Sequence, residues 1–387
     1  MKNIIAVIIL YLFINNPFLA IFKGLSSLYI LLPILVFLGN KYVSQFYKIH
    51  KDIVLAYSFI LLFGIIRTIM GGSSGYLERL AIQFVSSLLM SSVIVSMFYK
   101  YDISFIKVSI WMIVLAVTIS MLCYMFPSID HYVRYDIQVV RNEILAEKDY
   151  RGFGLSDALT SAYGYVLATF FGYGLYKGYG NSKWFWLLSP FLAISIMINA
   201  RTAILPLIAS ILLYFTTHYE KGRIKQLIYI FIGLIVVFKL INTSSVTSNW
   251  LNDFYLQMMD IITGSDEAEH DTYGVLVDSI IMPENIQQWI VGRGRSMFFH
   301  DTLLRSDIGF VNHLSYGGII YIALIIITFF TLILKIKDLY FVLFCIVMML
   351  IGNIKGNYLE TSDGYRFLTF LIMAECYYKR MKKHLKK

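Results

Sequence analysis

The sequence predicts an all-α polytopic membrane protein with about twelve transmembrane helices and one large outer loop. Three observations carry that prediction. The 387 residues are 58% hydrophobic and only 15% charged, with a mean hydropathy of +0.69, where a soluble domain carries about 25% charged residues. Apolar runs long enough to cross a bilayer recur along the whole chain. The turns between them alternate between lysine-bearing and arginine-bearing, as expected when a chain passes from one face of a membrane to the other.

The runs fall at 3–22, 25–39, 53–70, 80–98, 106–126, 158–176, 184–199, 202–217, 226–241, 313–334, 339–352 and 366–378. The first resembles a signal peptide, Met1-Lys2 before an apolar stretch. It lacks a small-x-small cleavage pattern and is interrupted by Asn15-Asn16-Pro17, so it reads as an uncleaved first span. One set of turns carries Lys41, Lys48 and Lys51, then Lys100 and Lys107, Lys177 and Lys183, Lys221 and Lys225, and Lys335 and Lys337. With Lys2 and the tail KRMKKHLKK, these put both termini in the cytoplasm.

The opposite turns hold Arg67, Arg79, Arg134, Arg141, Arg151, Arg201, Arg293, Arg295, Arg305 and Arg366, leaving only Arg223 and Arg380 on the lysine side. Lysine on the inner side follows from topology, whereas arginine on the outer side does not. The planar guanidinium fork suits phosphate and carboxylate better than an ammonium does. For Arg67 and Arg79, snorkelling at helix ends explains the placement equally well.

The net charge of +9 does not signal nucleic acid. Much of it sits in short inner turns and in the tail, which favours anionic membrane lipids. Cys123, Cys345 and Cys376 show no CxxC spacing and suggest neither a disulfide frame nor a metal site.

Two outer loops are long. The first, 127–157, is mixed in charge; the second, 242–312, carries ten acidic residues against three arginines. Leu251, Phe254, Tyr255, Met258, Met259 and Ile262 recur at helical spacing, and a second helix is expected from Pro283 to Gly292 with Trp289 at the interface. Both would lie on the membrane or fold over a cavity.

Three segments carry candidate chemistry. Gly292-Arg293-Gly294-Arg295 is followed by Arg305-Ser306-Asp307 and then by Gly317-Gly318. Its glycines permit close backbone approach to a ligand while Arg293 supplies a bidentate charge; a glycine-rich turn with solvated arginines reads equally well. Asp307 is a candidate base or the ion-pair partner of Arg305 or Arg295. Arg151 stands ahead of small residues that pack helices closely, at the mouth of that region. Arg201, in Asn199-Ala200-Arg201-Thr202-Ala203, has almost no loop around it and marks a functional position near the bilayer surface.

These residues carry a resemblance. The spans, NARTA between two of them, the large late outer loop and its closing GRGR…SDIGFVNHLSYGG resemble the O-antigen polymerase (Wzy-type) family, related to the O-antigen ligases. The resemblance implies a GT-C-like helical fold in the cell inner membrane with a periplasmic loop. It implies transfer of a growing glycan from undecaprenyl pyrophosphate onto a lipid-linked repeat unit, without metal or other cofactor, and a chain-length regulator as a possible partner. In the ligases a loop histidine stands near the attacking hydroxyl. Here Asp307 holds the corresponding place and His313, nearby, reads as a helix-start residue.

The implied roles are Asp307, Arg201 and Arg293 in catalysis, with Arg151, Arg295, Arg305 and His313 binding pyrophosphate or glycan. The chemistry agrees: a sugar pyrophosphate needs cations on its leaving group and at most one general base. An O-antigen ligase, or a transporter or flippase for lipid-linked glycans, are the alternatives. Transporters tend to show repeats and midplane charges, and this chain shows neither clearly.

Overall fold

The computed structural model describes residues 2–139, 154–156, 161–177, 183–199, 203–217, 280–295, 306, 308–354, 356–361 and 363–384. They are almost entirely helical. Four helices are long and apolar enough to cross a membrane: Lys51–Ile69, Ser74–Lys100, Phe105–Met125 and Gly309–Ile333. Lys2–Asn15, Ser27–Phe37, Ile204–Thr217 and Leu339–Ile354 are apolar but shorter.

Helix α1 (Lys2–Asn15) stops earlier than the apolar run does. Asn16 adopts a φ of 45° and Pro17 has no N–H to continue the ladder. Residues 16–26 instead fold back as a two-stranded hairpin, β1 (Phe18–Leu19) against β2 (Leu25–Ser26). Ser26 then caps α2 by accepting from the Leu28 amide, and the Asn16 side chain accepts from the same amide at 3.1 Å.

Helix α2 runs from Ser27 to Ile69, so the turn expected around Lys41–Lys51 is made in helical backbone and not in an open loop. The chain nevertheless reverses within it. Leu28 shares a cavity wall with Arg79 and Gln83, while Gly64 faces Leu77 and Leu80. On a straight helix Leu28 and Gly64 would stand about 54 Å apart, at about 1.5 Å per residue. Both ends of α2 therefore lie at the same end of the bundle, and Gly39, against Val93, belongs to its far part.

Helix α3 (Ser74–Lys100) contains a π-helical stretch, Phe84–Met90. Helix α4 (Phe105–Met125) is capped by Ser104 and ends before Pro127, which opens the short α5 (Pro127–His131). The bundle continues with α6 (Ser161–Tyr176), α7 (Lys183–Asn199) and α8 (Ile204–Thr217). After the short α9 (Ile286–Val291) come α10 (Gly309–Ile333), α11 (Leu339–Ile354), α12 (Tyr358–Thr361) and α13 (Asp363–His384). Helix α13 packs against α6 and α3, α10 against α2, and α1 against α4.

The charges separate along this bundle. Lys2 donates to Tyr101 O, Lys335 bridges Asp52 at 2.7 Å, and Lys177 pairs with Glu375. Arg67, Arg79, Arg134, Arg293 and Arg366 stand at the other end, where α1, α4 and α11 finish. The run 226–241 and the expected helix over Leu251–Ile262 lie outside the described residues.

Candidate functional site

The glycine-rich turn is built against a broken helix. Gly318, at φ 65° and ψ −162°, interrupts α10. The break leaves carbonyls without their usual partners four residues on. The Arg293 amide donates to Ser315 O at 2.6 Å and the Gly294 amide to Tyr316 O at 3.1 Å, which replaces them. A Cβ on Gly292 would lie 2.6 Å from Tyr316 O, and one on Gly318 would lie 2.6 Å from Trp289 O. The close approach expected for a ligand is thus made to the chain itself. On its other side the turn is held by Arg67, whose Nη2 donates to Gly292 O at 3.2 Å, and by the Ser73 amide on Gly294 O.

Arg67 is therefore a buried clasp and not a snorkelling cation. Arg134 is also buried, against Asp130 at 2.7 Å. Arg293 is engaged within its own segment: Nε donates to Gln288 Oε1 at 3.0 Å, and Nη2 to Met282 O and Glu284 Oε1, both at 3.3 Å. Those bonds fix the turn before α9, whose cap is Asn285 and whose end is Gly292, close to the helix expected over 283–292. Arg295 is exposed, and its carbonyl accepts from Ser315 Oγ.

His313 lies inside α10, 1% exposed. Asn353 Nδ2 donates to Met349 O, so Asn353 Oδ1 faces the ring and accepts from Nε2 at 3.1 Å. Nδ1 lies in hydrogen-bond contact with the Tyr76 hydroxyl at 3.3 Å, so both ring nitrogens are engaged. Tyr76 stacks on Tyr316 with ring centroids 3.8 Å apart. His313 thereby ties α3, α10 and α11 together. His313→Leu removes both bonds and is expected to lower stability by about 2–4 kcal/mol. Thermal denaturation of the purified protein in detergent checks this, and an unchanged midpoint would show the ring to be dispensable for packing.

Arg151, Arg201, Arg305 and Asp307 lie outside the described residues, but the segments beside two of them are anchored. Asn199, just before Arg201, donates to Ser120 Oγ at 3.2 Å and to Ser195 O at 2.8 Å. Gly154, just after Arg151, sits against the Ser120 backbone, and Ser156 donates to Asn15 O at 3.1 Å. In the same last turn of α1, Arg366 Nη1 donates to Phe13 O and Ile14 O, both at 3.0 Å, and bridges Asp363 at 2.9 Å. Segments remote in sequence thus meet where α1 and α4 end.

Sequence reasoning gave Arg79 and Arg366 an outer position but no site role, and it passed over Gln83, Ser86 and Asp363. All five line a cavity of about 400 Å³ beside the hairpin, with Asn16 and Ser26. The π-helical stretch Phe84–Met90 forms part of its wall, and such stretches recur at functional sites. No spacing rule connects these residues; only the outer position of the two arginines hinted at them. Among the described residues no three metal-ligating side chains converge.

No family model, no curated protein and no solved structure matches the chain.

Proposed function

We propose that this protein polymerises lipid-linked oligosaccharide repeat units into an O-antigen or capsule-type polysaccharide at the periplasmic face of the cell inner membrane. On this reading it is a twelve-span, GT-C-like, metal-independent glycosyltransferase with both termini in the cytoplasm. The acceptor hydroxyl attacks the anomeric carbon of the donor glycan as the bond to undecaprenyl pyrophosphate breaks. Asp307 takes the hydroxyl proton, and arginines hold the departing pyrophosphate.

The observation that carries the reading is the gathering of arginine-bearing segments at one end of the bundle. The stretches beside Arg151 and Arg201 fasten to Ser120 and Asn15, next to the carbonyls that Arg366 grips. Cations collected at the lipid headgroup level suit a pyrophosphate leaving group. The engaged ring nitrogens of His313 speak against a histidine base there, and so favour a polymerase over a ligase. Arg293 enters this reading as the residue whose bonds fix the turn before α9, with Arg295 in the same segment.

Surface polysaccharide from a strain lacking the protein tests the reading. A single repeat unit on the lipid A core is expected; absence of any attached repeat unit would mean a ligase. In a reconstituted assay, Asp307→Asn and Arg201→Lys are each expected to slow polymer formation on the order of a hundredfold, roughly 3 kcal/mol in the transition state. Normal polymerisation by both variants at equal membrane abundance would remove these residues from the chemistry.

A further inference from the structure

The cavity between the hairpin and the π-helical stretch has unused donors in its wall. Gln83, Ser86 and Arg366 are 4%, 3% and 5% exposed, and each lines the cavity. Gln83 Nε2, Ser86 Oγ and Arg366 Nε have no hydrogen-bond partner within the protein. Further along the same helix, Ser92 and Ser96 return their hydroxyls to its carbonyls at 2.9 and 2.7 Å, the usual resort of serine in an apolar helix. Ser86 does not. Buried polar atoms are ordinarily satisfied, so three such atoms bordering one space call for an occupant. The Gln83 and Arg366 nitrogens can only donate and the Ser86 hydroxyl is able to, so the occupant must offer acceptors.

Net charge does not choose the occupant. Asp363 bridges Arg366 Nη1 at 2.9 Å, so those two charges offset each other, and Arg79, which also lines the cavity, has an interaction of its own. Position and wall do choose it. Leu28 and Tyr29 lie in the first turn of α2, and Asp363 and Arg366 in the first turn of α13. The cavity therefore sits where helices begin, at the level where a bilayer changes from headgroup to hydrocarbon in the reading above. Its remaining wall is largely apolar, with Leu32, Val85 and Met90. Tyr29 and Ala81 are exposed on apolar helices, so the mouth opens sideways, towards lipid. A volume of about 400 Å³ is within the range of small-ligand sites. A sugar would leave the apolar wall bare, and hydrocarbon alone would leave the donors empty. An acyl ester supplies uncharged acceptors and carries its own chain.

We propose that this cavity holds the ester group of a bilayer glycerolipid: the carbonyl and bridging oxygens accept from Gln83, Ser86 and Arg366, and the first carbons of the acyl chain lie against Leu28, Leu32 and Met90. The headgroup stays outside, so what is recognised is the acyl ester, whatever charge the headgroup bears. The site uses neither Asp307 nor Arg201, and it rests on the reading above only for the membrane around it.

Full-length protein in nanodiscs of equal parts diacyl and dialkyl-ether phosphatidylcholine provides the test, with retained lipid read by native mass spectrometry. The two lipids share headgroup and chain length, and the ether form lacks the carbonyls. The protein is expected to retain one diacyl lipid roughly tenfold over the ether lipid, the scale of one or two hydrogen bonds. In discs of diacyl phosphatidylcholine and diacyl phosphatidylglycerol, it should retain the two in proportion to their shares. Gln83→Leu keeps the side-chain volume without the donor and should remove most of the ester preference; Ala81→Trp, at the exposed mouth, should abolish retention of either lipid. Equal retention of ester and ether lipid by the wild type would mean that water fills the donors, and a strong preference for phosphatidylglycerol would mean that the headgroup is what is held. Either result overturns the proposal, as does a wild type that retains no lipid or wild-type behaviour of both variants. Because retention is measured without turnover, its outcome is independent of whether the protein forms polymer.

Discussion

Gly318→Ala is expected to destabilise the protein by about 2–6 kcal/mol. Two penalties combine. The backbone there, at φ 65° and ψ −162°, belongs to a region that essentially only glycine occupies. The new Cβ would also press into the Ile290 carbonyl and lie 2.6 Å from Trp289 O, backbone atoms with no freedom to move aside. Relief would require α9 to lift off, and with it the amides of Arg293 and Gly294 that complete the broken helix. Limited proteolysis across 280–295 and thermal denaturation in detergent measure the effect. Gly71→Ala is the control, because Gly71 has a φ of 88° but nothing within 4 Å of a Cβ. It should cost only the backbone term, about 1–2 kcal/mol. Equal losses for the two variants would mean that α9 does not dock at the kink.

Arg366→Leu is the second large effect, expected at about 3–5 kcal/mol because it strands the buried Asp363 carboxylate. It also removes the donor from two carbonyls at the end of α1. Adding Asp363→Leu should restore more than half of the loss, since replacing both members of a buried pair costs far less than removing one. A double variant as unstable as the sum of the singles would show that the pair is not coupled.

How much of this was legible in the sequence depends on how local each signal is. The lysine and arginine alternation is a property of successive turns, and among the described residues Lys2, Lys177 and Lys335 stand opposite Arg67, Arg79 and Arg366, with Lys23 in the hairpin as an exception. Asn15-Asn16-Pro17 announced a break, though not that a hairpin would follow. Gly292 and Gly294 were recognisable as sites of close approach, whereas Gly317-Gly318 were noted only for following them. The partners of Gly292 and Gly294 were not recognisable, because a glycine records only that something comes near. The turn at Lys41–Lys51 was legible in its lysines, and the chain does reverse within α2, but in helical backbone rather than in an open loop. The cavity was hidden for a different reason. Asn16, Gln83 and Arg366 belong to three elements brought together only by packing, and no periodicity relates them.

The grip of Arg366 on α1 also sets a clock on assembly. The donor and the carbonyl of Ile14 are separated by 352 positions in the chain. At about 5–20 residues per second, a ribosome takes roughly 20–70 s to cover that distance. Throughout that interval the end of α1 must find other partners, from water, lipid headgroups or a membrane chaperone. A nascent chain stalled before α13 therefore leaves that helix end unfinished, whereas docking of α13 into the bundle closes it.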